Sequence, residues 1–174
     1  MRLHALALVA LVACKPTTQP PTTQAGEAAD PSPAQRGAAE AEIARVLDDW
    51  HDAAAKADEP RYFAHLTPTA VFLGTDGTER WNVDQFRAYA HPHFAKGKAW
   101  SFRSTRRSIV VHGDAAWFEE DLATQNLGPS RGSGVLLRSG AATTGTWKIE
   151  QYNLSVPIPN ERFKDVKALI EGGR

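Results

Sequence analysis

Glu120, Arg131, Gln151 and Asn153 stand in strand-like runs that mix apolar and polar residues, "WFEEDLA", "RGSGVLL" and "WKIEQYNLS". Polar side chains in such runs do chemistry when they converge on one cavity. Arg131 would then fork a ligand carboxylate, and Glu120 would serve as a base. The same two residues on neighbouring strands could equally neutralise each other as a structural pair. Gln151 and Asn153 would bond a ligand or cap edge backbone groups. His51 falls four residues after Leu47, near the apolar face of its helix, and His93 four after Tyr89; either could sit at a pocket mouth as acid, base or ligand donor, or be a satisfied or exposed side chain. Trp81 is either a pocket wall or a core plug. His91 and His93 are two apart, do not share a helix face, and imply no metal site. No Ser-His-Asp or G-x-S-x-G arrangement, phosphate loop or dinucleotide fingerprint is present.

Strand alternation assigns these residues to faces. Lys148 and Glu150 should face water, which turns Trp147, Ile149, Gln151, Asn153 and Ser155 inward. Arg138 at a strand end prefers the outside, which places Arg131, Ser133, Val135 and Leu137 inside. Phe118 and Leu122 share an apolar face with Glu120, leaving Trp117, Glu119 and Asp121 outside. A single β-bulge would reverse any of these phases.

The elements that carry the strands follow from period and punctuation. Ile43, Val46, Leu47, Trp50, Ala53, Ala54 and Ala57 recur at three- and four-residue spacing and predict a helix from about Ala38 to Ala57. "PRYFAHL" predicts a short second helix. "TAVFLGTDGTERW" reads as a hairpin turning at Asp76-Gly77. Asn82 with Gln85 opens a further helix that bends or ends around Pro92 and stops at Gly97. Four strand-length segments and a final helix, "NERFKDVKALIEG", complete an α+β order.

The N-terminus is of a different kind. Ala5 to Ala13 is an apolar run of nine after Arg2, too short to span a bilayer, which needs about 20 residues. It has the form of a secretory signal. Leu11-Val12-Ala13-Cys14 resembles the bacterial lipoprotein signal, which implies cleavage before Cys14 and lipidation of that cysteine, the only one in the chain. Lys15 does not resemble the aspartate that retains lipoproteins at the inner membrane, so the expected location is the cell envelope, facing the periplasm, with the outer membrane preferred. From Lys15 to Glu42 there is no Val, Ile, Leu, Met, Phe, Trp or Tyr. Such a segment cannot offset its ordering entropy. The expected organisation is a signal peptide over residues 1–13, a disordered tether over 14–37 reaching roughly 30 Å, and a folded domain over 38–174. Lys and Arg balance Asp and Glu at 20 each, which argues against nucleic-acid binding and against a polybasic membrane surface.

"FLGTDGTERW", "GKAWSF", "AWFEEDL", "RGSGVL" and "WKIEQYNLSVPIPN", in this order of elements, resemble the SnoaL-like branch of the nuclear transport factor 2-like superfamily over roughly Ala38 to Asn160. The resemblance implies a curved, mainly antiparallel mixed sheet wrapped around helices, with a pocket between them and no cofactor. It implies no reaction, because the superfamily holds isomerases, cyclases, dehydratases and binding proteins. A ketosteroid-type isomerase needs a carboxylate base with neutral donors for an enolate, and here Asp121 and Tyr152 both point outward by phase. The sequence therefore leaves three functions open. They are a membrane-tethered domain binding a small molecule, a cofactor-free enzyme using Glu120 or a histidine, and an interaction module that forms a homodimer through the outer sheet face.

Overall fold

A computed structural model describes residues 31–140 and 145–172; Cys14, the signal-like run and most of the expected tether lie outside them. Helix α1 (Pro33–Ala55) begins five residues before the expected Ala38. Ser32 and Gln35 form a capping box there, with a proline in the first turn, and this local chemistry starts the helix ahead of its apolar stripe. Helix α2 (Glu59–Ala64) is capped by the Asp58 side chain. Strands β1 (Leu66–Leu73) and β2 (Arg80–Asn82) form the expected hairpin, pairing Phe72 with Trp81. Asp76 holds its turn by accepting from the Thr78 N–H at 2.8 Å. Helix α3 (Val83–Phe94) starts at the expected Asn82–Gln85 capping box, and Pro92 lies within it. Gly97 follows at φ 73°, the left-handed conformation that stops a helix.

Strands β3 (Phe102–His112), β4 (Ala115–Thr124), β5 (Ser130–Ser139) and β6 (Thr146–Ser155) form an antiparallel meander. The six-stranded sheet runs β2-β1-β6-β5-β4-β3, and β1 joins β6 in parallel. The sheet curves over α1, whose buried residues Ile43, Leu47, Trp50, Ala53 and Ala54 face it. A dense aromatic core fills the space between. Trp50 stacks on Tyr62 at 5.0 Å and meets Tyr152 edge-on at 4.7 Å. Helix α4 (Phe163–Gly172) follows a short 3-10 turn, and none of its residues is buried.

Three facing assignments hold and two do not. Phe118, Glu120 and Leu122 face inward, Trp117 lies outward, and Trp147 and Ile149 are buried. On β5 the inner residues are Ser130, Gly132 and Leu136, so Arg131 and Leu137 are outside. The assumed phase failed because Arg138 is no guide to solvent: its guanidinium lies over the Trp147 ring at 4.5 Å. On β6 the pairing register shifts between Val135–Gln151 and Leu136–Ile149. Glu150 is the extra residue of this bulge, and it reverses the alternation. Tyr152 and Leu154 turn inward as a result, and Gln151, Asn153 and Ser155 turn to the other face.

Candidate functional site

The sheet and helices carry two features of opposite character: an ionic cluster around a buried carboxylate and an open aromatic cavity. Ala44, Asp48 and His51 are spaced to share one face of α1. That face meets Arg107 on β3, which stands directly opposite Glu120 on β4. Glu120 is fully buried, and its Oε1 lies 2.7 Å from His51 Nε2. Its Oε2 accepts from Arg107 Nε at 2.9 Å, with a second guanidinium nitrogen at 2.8 Å. Arg107 also contacts Asp48 at 2.8 Å and donates to the Ala44 carbonyl at 3.1 Å. An ionised carboxylate only accepts, so His51 Nε2 is the donor. Burial pushes the Glu120 carboxyl upward. The hydrogen bond and charge of His51, with the charge and hydrogen bond of Arg107, outweigh it and hold the group below its ordinary value.

Gly132 makes room for this cluster. It sits opposite Glu120 on β5. A Cβ there would stand 3.0 Å from Glu120 Oε1 and nearer still to the Tyr152 hydroxyl. Burial and the charge of Glu120 push the Tyr152 phenol well above its ordinary value, so it stays protonated.

The cavity lies elsewhere, at the open end between β1, β2, α3 and the loops before β3 and after β4. Its volume is about 300 Å³, at the lower bound for small-molecule sites. Phe72, Trp81, Phe86, Tyr89, Trp100 and Phe102 give it an aromatic lining, with His93 among them. Trp81 stacks on Tyr89 at 4.5 Å, and Phe72 on Phe86 at 3.9 Å. Thr75, Glu79, Ser101, Gln125 and Asn126 supply polar groups. This is an apolar wall with a few convergent polar side chains, the composition expected of a ligand site.

Of the residues singled out in the sequence, Trp81 and His93 line this cavity. His91 turns away and bonds Glu59 at 2.8 Å. His51 and Glu120 come together, but in the ionic cluster and not in the cavity wall. The His51 ring faces Phe102 at 6.1 Å, and Phe102 stands on the cavity side. The expected Glu120–Arg131 pair does not form. Arg131 is outside, 3.9 Å from Asp121, and Arg107 takes its place. Gln151 lies on the outer sheet face with Ser133 and Val135, and Asn153, paired with Ser133, shares that face. Sequence reasoning missed Arg107, Tyr89, Trp100 and Glu79 as site residues, and it turned Tyr152 outward where the structure buries it. The glycine at position 132, inside a strand, was the available signal for a close approach.

The SnoaL-like domain model matches residues 43–159. An NTF2-like protein of unknown function from Pseudomonas putida is similar in structure, with a TM-score of 0.60 at 18% identity, over 72% of this chain and 91% of that one. A protein of unknown function with a cystatin-like fold from Nostoc punctiforme gives 0.55 at 14%, over 68% and 90%. A candidate scytalone dehydratase from Novosphingobium aromaticivorans gives 0.60 at 10%, over 72% and 88%. At these identities the likeness establishes the fold alone. No curated protein is significantly similar in sequence. The matched segment covers most of the chain and contains both the ionic cluster and the aromatic cavity, and the chain belongs to the SnoaL-like domain family of the NTF2-like fold.

Proposed function

We propose that this is a membrane-tethered SnoaL-like domain that binds a small molecule in the cavity between sheet and helices. One observation carries the binding reading: the cavity is walled by Phe72, Trp81, Phe86, Tyr89 and Trp100, while Glu120 and His51 do not line it. A cofactor-free isomerase, cyclase or dehydratase needs a base at the cavity wall, where His93 and Glu79 stand and Glu120 does not. Glu120 is instead occupied on both oxygens by His51 and Arg107. Support for the tether is the lipoprotein-like Leu11-Val12-Ala13-Cys14 followed by residues too polar to pack. Dual or triple acylation at Cys14 would hold the domain stably at a membrane of the cell envelope, where one chain binds marginally.

The binding reading is tested by titrating the full chain, purified in detergent, with a library of apolar metabolites while following tryptophan fluorescence. The expected result is a saturable signal that Trp81→Ala weakens about tenfold or more, since an aromatic wall contributes on the order of 1.5–3 kcal/mol when covered. A library without a hit would refute it. The tether is tested by metabolic labelling with palmitate, which should mark the wild type and not Cys14→Ser.

A second reading, a homodimer through the outer sheet face, has its own support. Trp117 is 49% exposed and pairs laterally with Val110 and Val135. These residues form an apolar row across three strands. Sedimentation equilibrium tests it, with Trp117→Lys expected to shift a dimer to monomer.

A further inference from the structure

The aromatic cavity has a charge pattern that selects among ligands. Among the described residues no lysine or arginine lines it, and its ionisable side chains are Glu79, His93 and the Tyr89 phenol. Glu79 forms no ion pair among the described residues; its carboxylate accepts one hydrogen bond, from the Asp76 N–H at 3.1 Å. Gly74 lets this side chain fold across the hairpin. A Cβ at position 74 would lie 2.9 Å from Glu79 Cβ and Cδ, and closer to its Oε2. Glu79 stands just before β2 and lines the cavity together with Trp81, two residues on. Trp81 in turn stacks on Tyr89, which is 46% exposed.

We propose that the cavity takes an organic cation: an apolar or aromatic body carrying a protonated amine or quaternary ammonium nitrogen, seated by Glu79 and the Trp81–Tyr89 pair. This inference rests on the small-molecule reading above. A cation near indole and phenol rings is attracted by their quadrupoles, more strongly as water is excluded. The Glu79 carboxylate adds a favourable charge to the lining of the same cavity. An anionic ligand would meet that carboxylate with no lysine or arginine among the described lining residues to offset it, and like charges repel.

The test uses three probes of nearly the same shape: benzyltrimethylammonium, its uncharged carbon isostere neopentylbenzene, and phenylacetate as the anion. Each is titrated against the full chain by tryptophan fluorescence. The cation should bind about tenfold more tightly than the isostere, which is about 1.4 kcal/mol, and phenylacetate more weakly than either. Glu79→Gln should remove most of the preference for the cation and leave the neutral probe's affinity unchanged. Glu161→Gln, on the exposed 3-10 turn, should change neither. Equal binding of cation and isostere, a preference for phenylacetate, or an undiminished cation preference in Glu79→Gln overturns the charge assignment while the pocket stands. Failure of all three probes overturns the pocket reading and this inference with it.

Discussion

Replacing Glu120 with glutamine decides whether the buried carboxylate is structural. The substitution keeps the shape and removes the charge. In the wild type three nitrogens point at the carboxylate, His51 Nε2 at 2.7 Å and two of Arg107 at 2.9 and 2.8 Å. A glutamine has one acceptor oxygen, and its amide would turn N–H groups toward a donor. Removing one partner of a buried ion pair costs about 3–5 kcal/mol, because the remaining charge is left uncompensated. Arg107 would retain Asp48 and the Ala44 carbonyl, and Asp48 is itself well exposed. This places the loss near the lower end, about 3 kcal/mol. For a domain of this size the melting temperature should fall by roughly 10 °C. The assay is thermal and urea denaturation of wild type, Glu120→Gln, Arg107→Met and the double variant. The double variant should lie about 2 kcal/mol or more above additivity, the mark of two groups that act as one. A Glu120→Gln protein within about 0.5 kcal/mol of wild type would refute the reasoning. So would one that keeps its stability and loses ligand binding, since that is the signature of a carboxylate facing the cavity.

Stability against pH follows from the same residue. Glu120 titrates below its ordinary value of 4.5 in the fold. Its contribution is therefore fully present above that ordinary value and is lost as pH falls through the lowered one. Acid denaturation below about pH 4.5 should be shallower in Glu120→Gln, and equal slopes would count against the assignment. Gly132→Ala should destabilise by about 1–3 kcal/mol through overpacking. Tyr152→Phe in the same background should restore part of that loss in urea titrations. Truncation after Pro159 removes a helix with no buried residue and should lower the melting temperature by no more than a few degrees.

What the sequence could and could not reveal divides along a physical line. Periodicity and punctuation are local, and they located α3 through Asn82 and Gln85, the hairpin through Asp76 and Gly77, and the inward face of β4 through Phe118 and Leu122. The β5 and β6 faces were misread because strand phase is a parity, and one residue reverses it. Glu150 is that residue on β6: its side chain accepts from Thr69 on β1 at 3.1 Å, while the backbone bulges around it. Alternation alone could not reveal this, since the bulge shows only in the pairing with β5, where Val135 and Leu136 stand against Gln151 and Ile149. Arg138 misled for another reason. Its stem and guanidinium cover an indole, so a charged residue occupied the apolar side. The consequence for function is specific. Glu120 was correctly recognised as buried, but its partner was sought on β5 when β3 supplied it, because "RSTRRS" offers several arginines and a register shift at Thr105 decides which one faces inward. With Arg107 in that position, the carboxylate is consumed in fastening α1 to the sheet. The chemistry open to a ligand in the proposed reading then moves to the aromatic mouth, which Trp81 and His93 line together with Glu79, a residue that was not among those singled out in the sequence.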